Sequence, residues 1–388
     1  MVKTSKKGPL LACLLLLAGC LTGCWDRTEL NDMAFTLATS VDAAPNNRVL
    51  ISIEVPIPAK MGNKSGGGDP FTIVSSEAAT MRNATLMQSL RMSRRVSSSH
   101  RRVLIIGEEM AKKGIRPLFD NFSRVPENRL NGIIVVAKGK GSDLLKGKTP
   151  VDEFSWEAIR EIIRGRGRTV NNMKNVAQAL SLRERDPIIV YMGTVETKEN
   201  GPNQIKLLGY AQFKSDKMVG VFEESKMEGI HWLGGQITPH EMTVTLPSGQ
   251  FLTAYVLEGK TNVVPSISQS GKVTFVISSQ ATCYVLEDID MLDLNDLNNV
   301  RMVSGVIGKA IKKTMEESFE QMQSEGTDSV ALGSRVYRKY PRIWRDRLAQ
   351  NWRDDGLKKA EIRIHTEVHL SHTGLISNNL AKEERDLK

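Results

Sequence analysis

The N-terminus constrains this chain more than any other stretch. Lys3, Lys6 and Lys7 form a basic start, residues 10–18 are an unbroken apolar run, and Leu21-Thr22-Gly23-Cys24 follows. A basic segment, a short apolar core and small residues before a cut site make a secretory signal peptide. The core is too short to cross a bilayer, which takes about 20 apolar residues. Polar Trp25-Asp26-Arg27 comes next, so there is no stop-transfer segment. Leu-small-Gly-Cys is the pattern of a bacterial lipobox. The cysteine thiol is the only strong nucleophile nearby, and Thr22 and Gly23 let a signal peptidase close on the backbone. A second match, Leu17-Ala18-Gly19-Cys20, lies upstream, but cutting there would truncate the apolar core. The expected acceptor is therefore Cys24, with an S-diacylglycerol and an N-palmitoyl group, after loss of residues 1–23. Two acyl chains hold a protein body firmly, at about 0.8 kcal/mol per buried methylene. No later stretch reads as a transmembrane helix.

That start frames the composition. Of the four cysteines, Cys13 and Cys20 leave with the signal peptide, Cys24 is acylated, and Cys283 sits in an apolar run. No disulfide framework is then available, although an exported compartment permits one. Removing residues 1–23 takes three lysines and no acid, leaving 50 Lys plus Arg against 44 Asp plus Glu, or +6. That mild excess suits a body lying beside anionic lipid head groups. The length of 388 residues allows two or three domains.

Hydrophobic patterning reads as α+β and multi-domain. In the first half, 33–41 and 48–55 are strand-like and joined at Pro45-Asn46-Asn47. Residues 76–92 read as a helix with Ala79, Leu86 and Leu90 on one face. Residues 102–107 and 132–137 are buried-type strands flanking a helix over 108–122 broken at Gly114. This order predicts one parallel pair within a mixed sheet. A short helix capped by Ser142, helices over 154–164 and 172–182, and a strand over 188–192 follow. The second half is expected to open with strands at 205–213 and 218–222. An antiparallel meander over 241–246, 251–257, 261–267 and 273–284 continues it. A long amphipathic helix over 295–323 repeats Val303, Ile307, Ile311, Met315 and Phe319 at four-residue spacing. Shorter helices at 328–340 and 343–354 precede a strand over 360–370. The expected domains are a signal peptide at 1–23, an N-terminal α+β domain at 24–193 and a linker at 194–204. A C-terminal α+β domain at 205–377 and a charged tail at 378–388 complete the chain.

Chemistry-bearing residues are sparse. Nucleophile elbows, Walker loops, Gly-x-Gly-x-x-Gly turns and His-Glu-x-x-His pairs are absent from the sequence. His365, Glu367, His369 and His372 fit no zinc spacing and read as a solvated strand face. Asp288 with Asp290, and Asp354 with Asp355, read as turn and helix-end carboxylates. Arg91, Arg94, Arg95, His100, Arg101 and Arg102 form one basic cluster, and Arg160, Arg164, Arg166 and Arg168 another. Neither contains the aromatics that nucleic-acid readers stack on bases. A solvated face, or one meeting lipid or an acidic partner, is expected, with no nucleic acid. Trp344 and Trp352 lie near one helix face. Core packing is the first reading. The second is a partner-binding surface with Arg345, Arg347 and Arg353, since Trp and Arg are enriched in interface hot spots.

Gly23-Cys24-Trp25-Asp26-Arg27-Thr28-Glu29-Leu30-Asn31 resembles the mature N-terminus of the Ger(x)C lipoproteins, the C subunits of spore germinant receptors. The stretch from Arg102 to Ala111, the blocks Gly209–Gly220 and Gly229–Leu233, and Asp328–Gly333 with Pro341, Trp344 and Trp352 resemble later family segments in the same order. The stretch after Trp352, Asp354-Asp355-Gly356-Leu357, lacks the aromatic the family tends to place there. The resemblance implies a non-enzymatic subunit without cofactor at the spore's inner membrane. It would sit beside two polytopic partners, the A and B subunits, and serve nutrient-triggered germination through protein–protein contacts. Only Cys24 carries over as a functional residue. The alternative is an extracytoplasmic lipoprotein that binds a small nutrient itself, which would need a deep polar cleft between two similar lobes.

Overall fold

Val103–Gly107 (β6) and Ile133–Ala137 (β7) are runs of apolar residues with no polar alternation, and every residue in both is buried. Strands of that kind need cover on both faces, and they lie at the centre of the larger sheet. The computed structural model describes residues 29–61, 69–147, 149, 151–166, 172–196 and 203–372. Among these, β1 (Met33–Phe35) pairs with β5 (Arg95–Ser97), and an eight-stranded sheet runs β10-β9-β8-β7-β6-β2-β3-β4. Its members are β2 (Ala38–Ala44), β3 (Arg48–Pro56), β4 (Phe71–Ala78), β6, β7, β8 (Ile188–Val195), β9 (Gln204–Lys214) and β10 (Lys217–Glu223). β2, β6, β7 and β8 run parallel, and antiparallel pairs flank them on both sides. The parallel core is thus larger than the single expected pair.

One face of this sheet packs on α2 (Glu108–Lys113), α3 (Arg116–Arg124) and α6 (Met173–Leu180). α4 (Gly141–Lys146) and α5 (Ser155–Arg166) cover the other. Gly114, at φ +130°, separates α2 from α3 as the sequence predicts. Asn46 and Asn47 both adopt positive φ and close the β2–β3 hairpin with a turn whose twist suits the flanking strands. The start of α4 is capped differently from the expectation. The carboxylate of Asp42, on β2, accepts from the amides of Gly141 and Ser142 at 2.6 and 2.9 Å, so the cap comes from a strand a hundred residues away.

The helix expected over 76–92 is also corrected. Residues 71–78 are strand β4, and α1 (Met81–Ser89) starts after the Thr80 cap. Leu86 and Leu90, expected to face the core, are 58% and 79% exposed. Ala84 and Gln88 face inward, and the Gln88 amide donates to the carbonyls of Ile51 and Val74. A small residue and an amide fix this helix, and neither registers in an apolar pattern.

The second sheet runs β11-β12-β13-β14: His240–Thr245, Phe251–Ile267, Val273–Asp288 and Glu361–His372. Its first three strands are antiparallel, but β14 runs parallel to β13. Parallel neighbours need a crossover connection, and the chain through α8 (Leu297–Glu325) supplies it. The two strands expected around a break at 258–260 are one, β12, with a bulge beside Val256. Gly259 lies at that point because a Cβ there would meet the Trp232 ring at 2.7 Å. Val303, Ile307, Ile311, Met315 and Phe319 of α8 are all buried against the sheet, each worth about 1.5–3 kcal/mol. Gly326, at φ +65°, ends the helix.

β9 and β10, expected to open the second half, extend the first sheet instead. Residues 197–202 of the expected linker lie outside the described residues, and strands on either side of it pair antiparallel. α7 (Glu224–Gly234) then leads to the second sheet. One continuous hydrophobic core runs from α5 through Tyr210 and Phe222 to α8. The two sheets differ in strand number and order, so the body is not a pair of like lobes.

Candidate functional site

Cys24, Trp25 and the stretch expected to be a signal peptide lie outside the described residues, as does the tail from 373. The described chain enters through a turn at Leu30–Asp32 into β1, where Met33 stands opposite Arg95 of β5. Among the described residues no helix is long and apolar enough to cross a membrane.

The tryptophan–arginine constellation is interior. Trp344 and Trp352 are 4% and 1% exposed, with ring centroids 5.3 Å apart. Neither indole is available to a partner, so the contact surface expected of them is corrected to a packing joint. It forms where residues 341–356, with two π-helical turns, fold over α9 (Leu332–Lys339). Gly333 makes room: a Cβ there would meet Trp344 at 2.7 Å and the Trp352 Nε1 at 2.8 Å. Trp352 Nε1 donates to Asp328 Oδ2 at 2.9 Å. Asp328 also accepts from the amides of Leu332 and Gly333, capping α9. Burial pushes the Asp328 carboxyl up to about 6 against the pull of these donors.

Arg353 belongs to the same joint. Its Nε lies 2.8 Å from Asp186 Oδ2, and it donates through Nη2 to the carbonyl of Arg185. Asp186 accepts further from the amides of Ser215 and Asp328. One fully buried carboxylate thereby ties the approach to β8, the β9–β10 turn, the loop before α9 and the late helical segment. Arg345 is exposed and donates to the Pro341 carbonyl, and Arg347 is exposed as well.

The basic clusters separate. Arg101 is buried, its guanidinium 4.5 Å from the Phe122 ring centroid and hydrogen-bonded to Asn128. Arg82, Arg91, Arg94 and Arg95 are exposed around the outward face of α1. Arg160 lies over Trp156 and pairs with Glu157 and Glu161. The Arg166 side chain and Arg168 lie outside the described residues. On β14, Arg363, His365, Glu367 and His369 face outward, and Glu367 accepts from Gln280. The His372 side chain is outside the described residues. Among the described residues no group of three or more His, Cys, Asp or Glu converges as a metal set. Cys283 is buried, and that burial pushes its thiol up to about 11.

Beside the joint lies a polar cleft of about 610 Å³. α6 contributes Asn175 and Gln178, the approach to β8 contributes Arg185, and the chain just beyond α7 contributes Gln236. Arg335 and Arg338 of α9 complete the wall. No motif marks this cleft, because its members are spread over some 160 positions.

Residues 26–194 match a family model described as the spore germination protein N-terminal domain, and 208–374 match the spore germination B3/GerAC-like C-terminal model. Spore germination protein KC of Bacillus subtilis (strain 168) is 25% identical, over 97% of this chain and 98% of that protein. Spore germination protein GerQC of Bacillus cereus is 20% identical, over 93% and 98%. The crystal structure of the GerBC protein shares the fold, with a TM-score of 0.57 and 17% identity over 89% of this chain and all of that one. These matches define a spore germination protein carrying both domains of its kind. The chain belongs to the Ger(x)C family. The two family regions part between 194 and 208, within the hairpin of β8 and β9.

Proposed function

We propose that this protein is the lipid-anchored C subunit of a spore germinant receptor. It lies on the outer face of the spore's inner membrane through acylated Cys24, and it supports nutrient-triggered germination by contact with polytopic A and B subunits. It performs no catalysis. One observation carries the reading: a lipobox cysteine directly precedes a body that matches spore germination proteins from end to end. The exposed surface, not the tryptophan joint, then carries the partner contacts. The test is Cys24→Ala in the native host. Unsubstituted protein should sediment with spore membranes, and its N-terminal peptide should begin at an acylated cysteine. The variant should lose both properties and slow germination at least tenfold. An unmodified native N-terminus overturns the anchor, and normal germination without the protein overturns the role.

A further inference from the structure

Three arginines line one cleft, and none of them is neutralised by a direct ion pair among the described residues. Among the described residues Arg185, Arg335 and Arg338 have no carboxylate within ion-pair distance, whereas nearby Arg353 has one. The Arg185 Nε is buried and has no hydrogen-bond partner. Its backbone is held by Arg353 and by the adjoining Asp186, so it cannot drift away from the cleft. Arg335 and Arg338 stand one turn apart on α9 and share a face. Burial lowers the Arg335 pKa, and the Arg338 charge lowers it further. The Asp328 carboxylate pulls the other way on Arg335, but it is already engaged by two amides and an indole. Ala331, at the start of α9, adopts φ +59°, a conformation non-glycine residues adopt at some cost. This kink carries the chain along the cleft before the helix begins.

The rest of the lining is amide-rich. Asn175 and Gln178 face the cleft from α6, and Gln236 does so from beyond α7. Guanidinium forks match the oxygens of carboxylate and phosphate, and side-chain amides suit the hydroxyl and amino groups of a small polar molecule. The volume falls within the range of about 300–1,000 Å³ typical of small-ligand sites. We infer that this cleft binds a small polar oxyanion, carboxylate- or phosphate-bearing, between Arg185 and the Arg335–Arg338 face of α9. Such a ligand would bridge α6 of the first sheet and α9 of the second, at the joint where the two are tied. The cleft alone supports this, independently of the lipid anchor and of receptor membership.

The full chain, purified in neutral detergent, is titrated calorimetrically with potassium phosphate and with potassium citrate. Potassium chloride at matched ionic strength is the control. Saturable binding of phosphate, citrate or both, absent with chloride, is expected. Phosphate alone would assign a phosphate group as the recognised chemistry, and citrate alone a carboxylate. Arg335→Gln and Arg338→Gln should each weaken binding at least tenfold, while Arg94→Gln, in the exposed segment before β5, should leave it unchanged. In the unsubstituted chain the bound anion should protect Arg185, Arg335 and Arg338 from phenylglyoxal, but not Arg94, which keeps the test open if a variant misfolds. Absence of saturable binding with both anions overturns the proposal. Equal protection of all four arginines, or binding indifferent to the α9 substitutions, overturns it as well.

Discussion

Glu54 shows how one carboxyl couples this fold to pH. It lies on β3, fully buried, with Ser155 at the start of α5 donating to Oε2 and with Oε1 unpartnered. Burial pushes its pKa from 4.5 to about 7. Below about 4.5 the group is protonated in both folded and unfolded chains, and its contribution to stability is intact. As pH rises toward 7 the unfolded chain releases a proton that the folded chain keeps, and stability falls. Above that window the loss is about 3 kcal/mol, from roughly 1.4 kcal/mol per unit. Glu54→Gln is neutral at every pH. It should raise the melting temperature at pH 8 and leave it nearly unchanged at pH 4.5, as read by thermal melts across pH. A native chain whose stability does not fall between pH 5 and 8 would remove this account.

Helix contacts show the same economy at a larger scale. α7 crosses α8 closely because Gly229 faces it: a Cβ there would run into the Thr314 carbonyl and the Ser318 hydroxyl. The Ser318 hydroxyl in turn donates to the Lys226 carbonyl. Gly229→Ala should force the helices apart and cost about 1–3 kcal/mol or more, read as a lower urea midpoint with unchanged slope. Gly305, on the exposed side of α8, is the contrast, since a Cβ there would have no neighbour within 4 Å. Gly305→Ala should stabilise by roughly 0.5–1 kcal/mol through helix propensity. The apolar stripe of α8 is legible in the sequence because its burial is continuous over many turns. α1 is not, because its inward face is an alanine and a hydrogen-bonded glutamine.

At the scale of the whole molecule, the two family regions share one sheet and one hydrophobic core. β9 and β10 complete the first sheet although they follow the first family region, and Asp186 joins that sheet to the loop before α9 and to Arg353. A fragment of residues 25–194 would leave β8 as a bare hydrophobic edge, which invites pairing with other chains. It should aggregate on size-exclusion chromatography, while residues 25–372 should melt in a single transition. A monomeric, cooperatively melting 25–194 fragment would show that the two regions are separable.

Local chemistry was enough to read the buried strands β6 and β7, the Gly114 break and the α8 stripe. Each depends on neighbours within a turn or a strand, where periodicity and backbone freedom act directly. The expected acylation of Cys24 is likewise a reading of a short motif. Tertiary structure alone decided that β9 and β10 belong to the first sheet, that Trp344 and Trp352 are interior, and that Asp42 caps α4. It also gathered Arg185, Arg335 and Arg338 around one cleft. These arrangements join residues well beyond one turn or one strand, 24 positions for Trp352 and Asp328 and 99 for Asp42 and Gly141, and much of their energy comes from satisfying buried polar groups once the chain has folded. No local pattern encodes that satisfaction.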